Sequence, residues 1–273
     1  MQGNPLFILS CSRSGSTLLR LALNAHPEVA APPELHLLQL AQRLLWTQRI
    51  AREGLEYSGG KPYELALPET RKVLDDIMAS YLARAGKPRW CEKSVTSINH
   101  LDVLEGVYPE ARVIVLVRHA ADMVASGLRA IADRPDGYDF EPYLAADPLR
   151  QQALLSYWLD KTTTLAGLLE QSPFPLTVRL RYEDLARDPA TELARLADEL
   201  HLEPLPNWVD RIWSEPFERG PGDDGAYSKD AISAQSLGRG TRLDWTGISR
   251  NLVRRVNRLL ESLDYAPLEA EDR

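Results

Sequence analysis

Residues 7–29, FILSCSRSGSTLLRLALNAHPEV, pass from an apolar run through a Ser/Gly knot into a stretch with helical spacing. Few folds accommodate all three parts in 23 residues. Leu6–Ser10 shows no polar alternation, as expected of a strand covered on both faces. From Ser16 onward, Leu18, Leu19, Ala22 and Leu23 fall on one helical face, and Asn24 with His26-Pro27 should stop that helix. The segment therefore reads as strand, tight loop, helix, the opening step of a parallel sheet.

The remainder repeats that alternation. RWCEKS (89–94) reads as a second strand, and ARVIVLVRH (111–119) is the clearest buried strand, apolar without interruption from Val113 to Val117. FPLTVRLRYEDL (174–185) reads as a strand followed by a turn. Helices are expected at Leu35–Arg52, Thr70–Ala85, Ile98–Val107, Ala120–Ala132, Leu149–Gln171, Pro189–Glu199 and Ile248–Leu263. The turn-rich stretch 54–69, the aromatic-bearing stretch 133–148 and the Gly-rich stretch 214–245 are expected as loops, and a loop as long as the last is usually functional or disordered. The expected fold class is α/β, a central, mainly parallel sheet flanked by helices. No repeat or linker divides the 273 residues, so one domain over 1–273 is expected.

Charge and cysteine content narrow the function classes. A net charge of −7 argues against a general nucleic-acid binder but leaves room for a local basic pocket. Cys11 and Cys91 lie in apolar surroundings without a CxxC or Cys/His cluster, so reduced core thiols are expected rather than a disulfide or metal pair. No apolar run approaches the ~18–20 residues of a membrane span. The N-terminus lacks a basic leader and a small-residue cleavage site, which suggests a bacterial-type cytoplasmic setting.

The loop Ser12-Arg13-Ser14-Gly15-Ser16-Thr17 has the chemistry of an anion cradle. A helix N-terminus offers unpaired N–H groups and partial positive charge. Gly15 allows the backbone to turn toward the anion, Ser16 and Thr17 add hydroxyl donors, and Arg13 adds a fork of N–H donors. The Lys-Ser/Thr ending that supports magnesium and a γ-phosphate is missing. A metal-free group such as a 5′-phosphosulfate suits the loop better. The plainer alternative is a Ser/Gly helix cap.

SRSGSTLLRLALNAHPEV (12–29) resembles the 5′-phosphosulfate-binding segment of sulfotransferases that use 3′-phosphoadenosine 5′-phosphosulfate (PAPS), in the branch carrying Arg-Ser-Gly-Thr-Thr-Leu followed by His-Pro. Ser12 stands where proline is common, and Ser16 where threonine is common. The resemblance implies the P-loop-like sulfotransferase fold. It further implies that Arg118, at a strand end, and Ser126, eight residues later, contact the cofactor's 3′-phosphate. SLGRG (236–240) is similar to the loop closing over that phosphate, with Arg239 as its cation and Leu237, Gly238 and Gly240 beside it.

For the reaction, the resemblance places a lysine, here Lys93, on the bridging oxygen of the scissile bond. Arg13 would share the charge of the leaving 3′-phosphoadenosine 5′-phosphate (PAP). Glu34 matches the spacing of the catalytic base; its structural rival is a first-turn helix carboxylate. His36 is a lesser candidate as base or substrate contact, and Glu28 sits where the family varies. No metal is expected. Tyr138, Phe140, Tyr143, Tyr157 and Trp158 could line an acceptor pocket or serve only as packing. The branch's acceptors are hydroxyl-bearing small molecules, glycans, carrier-bound acyl chains or peptides, and family habit suggests a homodimer. The basic run ISRNLVRRVNRLL (248–260) reads as a solvated helix face before a carrier-docking site. Two rivals stand apart from the enzyme reading. A P-loop kinase would need a Walker lysine and a magnesium-binding aspartate, neither found in context. A non-catalytic PAP or adenosine-phosphate binder would have no use for Glu34 and Lys93.

Overall fold

A computed structural model describes residues 4–53, 66–134, 136–220, 227 and 231–268. Five parallel strands form one sheet in the order β2-β3-β1-β4-β5, where β1 is Leu6–Ser10, β2 Val29–Ala30, β3 Arg89–Glu92, β4 Arg112–Val117 and β5 Leu176–Arg181. β1 lies against β4 with Leu6 opposite Arg112 and Ser10 opposite Leu116, and β4 lies against β5 out to Val117 opposite Arg181. The two-residue β2, too short to leave a periodic signal, pairs Val29 with Arg89 and Ala30 with Trp90 at the other edge.

The uninterrupted hydrophobicity of β1 and β4 follows from cover on both faces. Phe7, Leu9, Val113, Val115 and Val117 enter one core, packed by α2 (Leu37–Glu53), α3 (Leu67–Ala85), α4 (Leu101–Val107), α5 (Ala120–Asp133), α7 (Arg150–Glu170) and α11 (Arg250–Ser262). Leu6, Ile8, Ile114 and Leu116 enter the other, packed by α1 (Ser16–Ala25), α8 (Tyr182–Arg187), α9 (Pro189–Leu200) and α10 (Trp208–Ser214). Alternate side chains thus serve opposite layers, and polar residues are left only at the strand ends, Ser10 in β1 and Arg112 in β4.

Several boundaries differ from the sequence expectation. Within 133–148 the chain makes the short helix α6 (Glu141–Ala146), and the turn after β5 is α8. A 3₁₀ segment, Val95–His100, precedes α4. Helix α2 begins at Leu37, because His36 adopts φ 53 and directs its carbonyl to the Leu40 N–H. Within 214–245 two 3₁₀ turns occur, Ala234–Ser236 and Arg239–Arg242; much of 54–69, and 221–226 and 228–230, lie outside the described residues. Both cysteines are buried free thiols, and burial pushes the Cys11 thiol up to about 12. Among the described residues no helix is long and apolar enough to cross a membrane.

In this strand order, β3 follows β2 on one side of β1 and β4 lies on the other. The chain therefore leaves the carboxyl ends of adjacent strands in opposite directions, opening a crevice there.

Candidate active site

The crevice is a cleft of about 290 Å³ at the carboxyl ends of β1, β3 and β4. From the first loop, Ser12, Arg13, Gly15, Ser16 and Thr17 line it. Arg13 has φ 65 and Gly15 has φ 93, so two left-handed residues reverse the chain before α1 starts. Gly15 is required twice over: its φ suits glycine, and a Cβ there would lie 2.3 Å from the Tyr182 ring. The Ser12 amide donates to the Tyr157 hydroxyl at 2.7 Å, and that hydroxyl donates to Asp139 at 2.7 Å. Ser12 Oγ donates to the other Asp139 oxygen. Burial raises the Asp139 carboxyl above the usual aspartate range despite the two hydroxyl donors, which favour its ionised form.

Arg118 follows the last residue of β4 and is 6% exposed. One guanidinium nitrogen donates to the Arg13 carbonyl at 2.8 Å and another to the Ser236 carbonyl at 3.3 Å. The group lies 4.3 Å from the centroid of the Tyr182 ring, and its Nε has no partner. Among the described residues no carboxylate forms an ion pair with it. Burial lowers its pKa, yet a guanidinium stays charged at any physiological pH. A desolvated cation that lines a cleft and has no carboxylate partner is suited to an anion. Arg13 Nε donates to Ser126 Oγ at 3.2 Å, so the two segments named from sequence meet through that bond.

Lys93 follows β3, next to β1, and forms a buried ion pair with Glu34. Both line the cleft. The first turn of α2 holds no acidic residue, so Glu34 is not a first-turn helix carboxylate. Beneath the pair, the fully buried Glu92 accepts from Ser94, and from Ser97 at 3.0 Å. Ser94 Oγ in turn accepts the His36 amide at 3.0 Å. Burial raises the Glu92 pKa. His36 also lines the cleft, its Nδ1 3.1 Å from Thr96 Oγ1.

The other named residues are less central. Tyr138 lines the cleft. Tyr143 does not; its hydroxyl donates to Asp160 at 2.5 Å. Ser14 is buried under the loop. Leu237, Gly238, Arg239 and Gly240 stand beside the cleft without lining it, and Arg239 Nε donates to the Gln235 carbonyl at 2.9 Å. From that stretch it is Ile232 and Ser233 that line the cleft.

Residues that sequence reasoning passed over are Asp139, Tyr182, Glu92 and Asp122. Tyr182 could have been found, since it follows β5 as Arg118 follows β4. Tyr157, a candidate for acceptor lining or for packing, is a fully buried packing residue that backs the anion loop.

A family model described as "Sulfotransferase family" matches residues 5–207. The nodulation protein NoeE of Sinorhizobium fredii is 28% identical over 216 residues, covering 72% of this chain and 50% of the relative. Protein-tyrosine sulfotransferase 1 of Danio rerio is 31% identical over 132 residues, covering 44% of this chain and 34% of the relative. The chain thus spans half or less of the length of these curated relatives. Among solved structures, the sulfotransferase domain of the Synechococcus PCC 7002 olefin synthase superposes with a TM-score of 0.65 at 24% identity, over 98% of each chain.

Proposed function

The chain belongs to the sulfotransferase family, and on that premise we propose that it transfers a sulfuryl group from PAPS to a hydroxyl of its acceptor. The observation that carries this reading is Arg118, a buried guanidinium with an unpartnered nitrogen, one hydrogen bond away from the anion loop. The residues present fit the cofactor. Arg118 and Ser126 would hold the 3′-phosphate, and the 12–17 loop with the N-terminus of α1 would hold the 5′ end. When bound, PAPS supplies the activated sulfuryl group.

Glu34 accepts the acceptor's hydroxyl proton. Lys93 and Arg13 bear the charge that grows on the leaving phosphate. Burial of Glu34 and Lys93 strengthens the contacts they make. The acceptor is a hydroxyl-bearing small molecule, carrier-bound acyl chain or peptide; tyrosine is the group named for one relative. The whole of 1–273 acts as one domain, with Tyr138 and His36 contacting the acceptor.

Calorimetry with PAP and transfer of ³⁵S from labelled PAPS to a panel of hydroxyl acceptors test the proposal. Micromolar PAP binding and label transfer without added divalent metal are expected. Absence of PAP binding overturns it, and PAP binding without transfer to any acceptor class favours a non-catalytic binder.

A further inference from the structure

Asp122 stands in the first turn of α5, 5% exposed and outside the cleft. Both its oxygens serve one backbone segment. Oδ2 accepts the Gly238 N–H at 2.8 Å, and Oδ1 accepts the Gly240 N–H at 2.7 Å. Gly238 has φ 69, a turn that brings the two amides to the same side. A Cβ on Gly240 would lie 2.2 Å from the Ala121 backbone, so the segment seats against α5 only with glycine there. Ser236, at the near end, accepts from Arg118 through its carbonyl, and its Oγ is 2.7 Å from the Tyr182 hydroxyl. Ser126 lies one helical turn beyond Asp122 on the same face of α5.

These bonds assign the two glycines a different task from approaching a ligand. Their amides are satisfied by a carboxylate, and the space that Gly240 leaves is filled by α5. We propose that Asp122 is a positioning residue that latches 236–242 beside the Arg118 end of the cleft, so that affinity for the 3′-phosphate depends on a carboxylate that touches no phosphate. The inference rests on the cofactor reading above.

Asp122→Asn is the direct test. An amide side chain offers one acceptor and an NH₂, so one backbone N–H would face a donor. The PAP dissociation constant and the KM for PAPS should rise about tenfold or more. Turnover at saturating PAPS should stay within about twofold, because no group in contact with the reacting atoms changes. Trypsin should cut after Arg239 and Arg242 faster than in the parent protein. A general loss of structure would instead lower turnover and melting temperature together, without splitting KM from kcat. A folded variant with unchanged PAP affinity and unchanged cleavage overturns the proposal.

Hydrogen exchange on the unaltered, ligand-free protein gives a second reading that needs no variant. The Gly238 and Gly240 amides should exchange slowly, and exchange at the rate of a free loop refutes the latch. Should the parent protein fail to bind PAP, the cofactor reading falls, while exchange and trypsin cleavage still judge the latch.

Discussion

Arg13, Lys93 and Arg118 each stand within three residues of a strand's carboxyl end, whereas Arg134, Tyr138 and Asp139 hang on the connection between α5 and α6. Lys93 and Arg118 adjoin paired strands, so sheet register places them, and Arg13 follows β1 through the left-handed turn of the first loop. The second is placed by side-chain bonds, such as Ser12 to Asp139 or the stacking of Tyr138 on Phe140 at 4.7 Å. A rigid sheet edge suits a cofactor that is always the same, and a connection held by few bonds can be rebuilt for different acceptors.

The sharpest test on the sheet side is to remove the carboxylate paired with Lys93. Glu34→Gln should lower turnover by roughly 10²-fold or more while PAP affinity holds. Turnover near the parent value would take Glu34 out of the chemistry. Next, Arg118→Ala should weaken PAP binding by about 1.5–3 kcal/mol, the usual worth of a hydrogen bond to a charged group. Unchanged calorimetric affinity would mean that the sheet edge does not hold the anion. On the connection side, Tyr138→Ala should raise the acceptor KM by less than about tenfold and leave PAP affinity within about twofold, as the loss of one aromatic contact would. A larger effect on PAP than on acceptor would erase the division between the two sides.

The smallest effect concerns Glu92, below the Lys93 turn. Burial holds its folded-state pKa above 4.5, its ordinary value, so the folded protein keeps a proton that the unfolded chain releases. Across the interval from about 4.5 up to the raised folded value, the native state binds more protons, and stability falls as pH rises. Glu92→Gln should lack that part of the slope in urea melts taken from pH 4 to 8. An identical slope in both proteins would show that Glu92 titrates normally.

Legibility from sequence follows the same contrast. The α/β class, four of five strands and the segments at 12–17, 93 and 118 were readable because buried parallel strands leave unbroken apolar runs with functional groups at their ends. Arg13 and His36 show where that reading stops. Neither left-handed residue is a glycine, and at His36 that conformation moves the start of α2 from the expected Leu35 to Leu37. Tyr157 and Trp158 were legible as helix and aromatic, but not as braces. Only the fold shows that the Trp158 indole donates to the Arg118 carbonyl at 3.0 Å. Likewise Asp122 looks like any acidic residue early in a helix until a segment 116 residues later is seen to close on it.

The contact between Glu34 and Lys93 has a kinetic corollary. On the proposed roles, each group occupies the other, and an arriving sulfated nucleotide draws the ammonium away and releases the carboxylate. Addition should therefore be ordered, nucleotide first, and an acceptor entering early would meet a muted base.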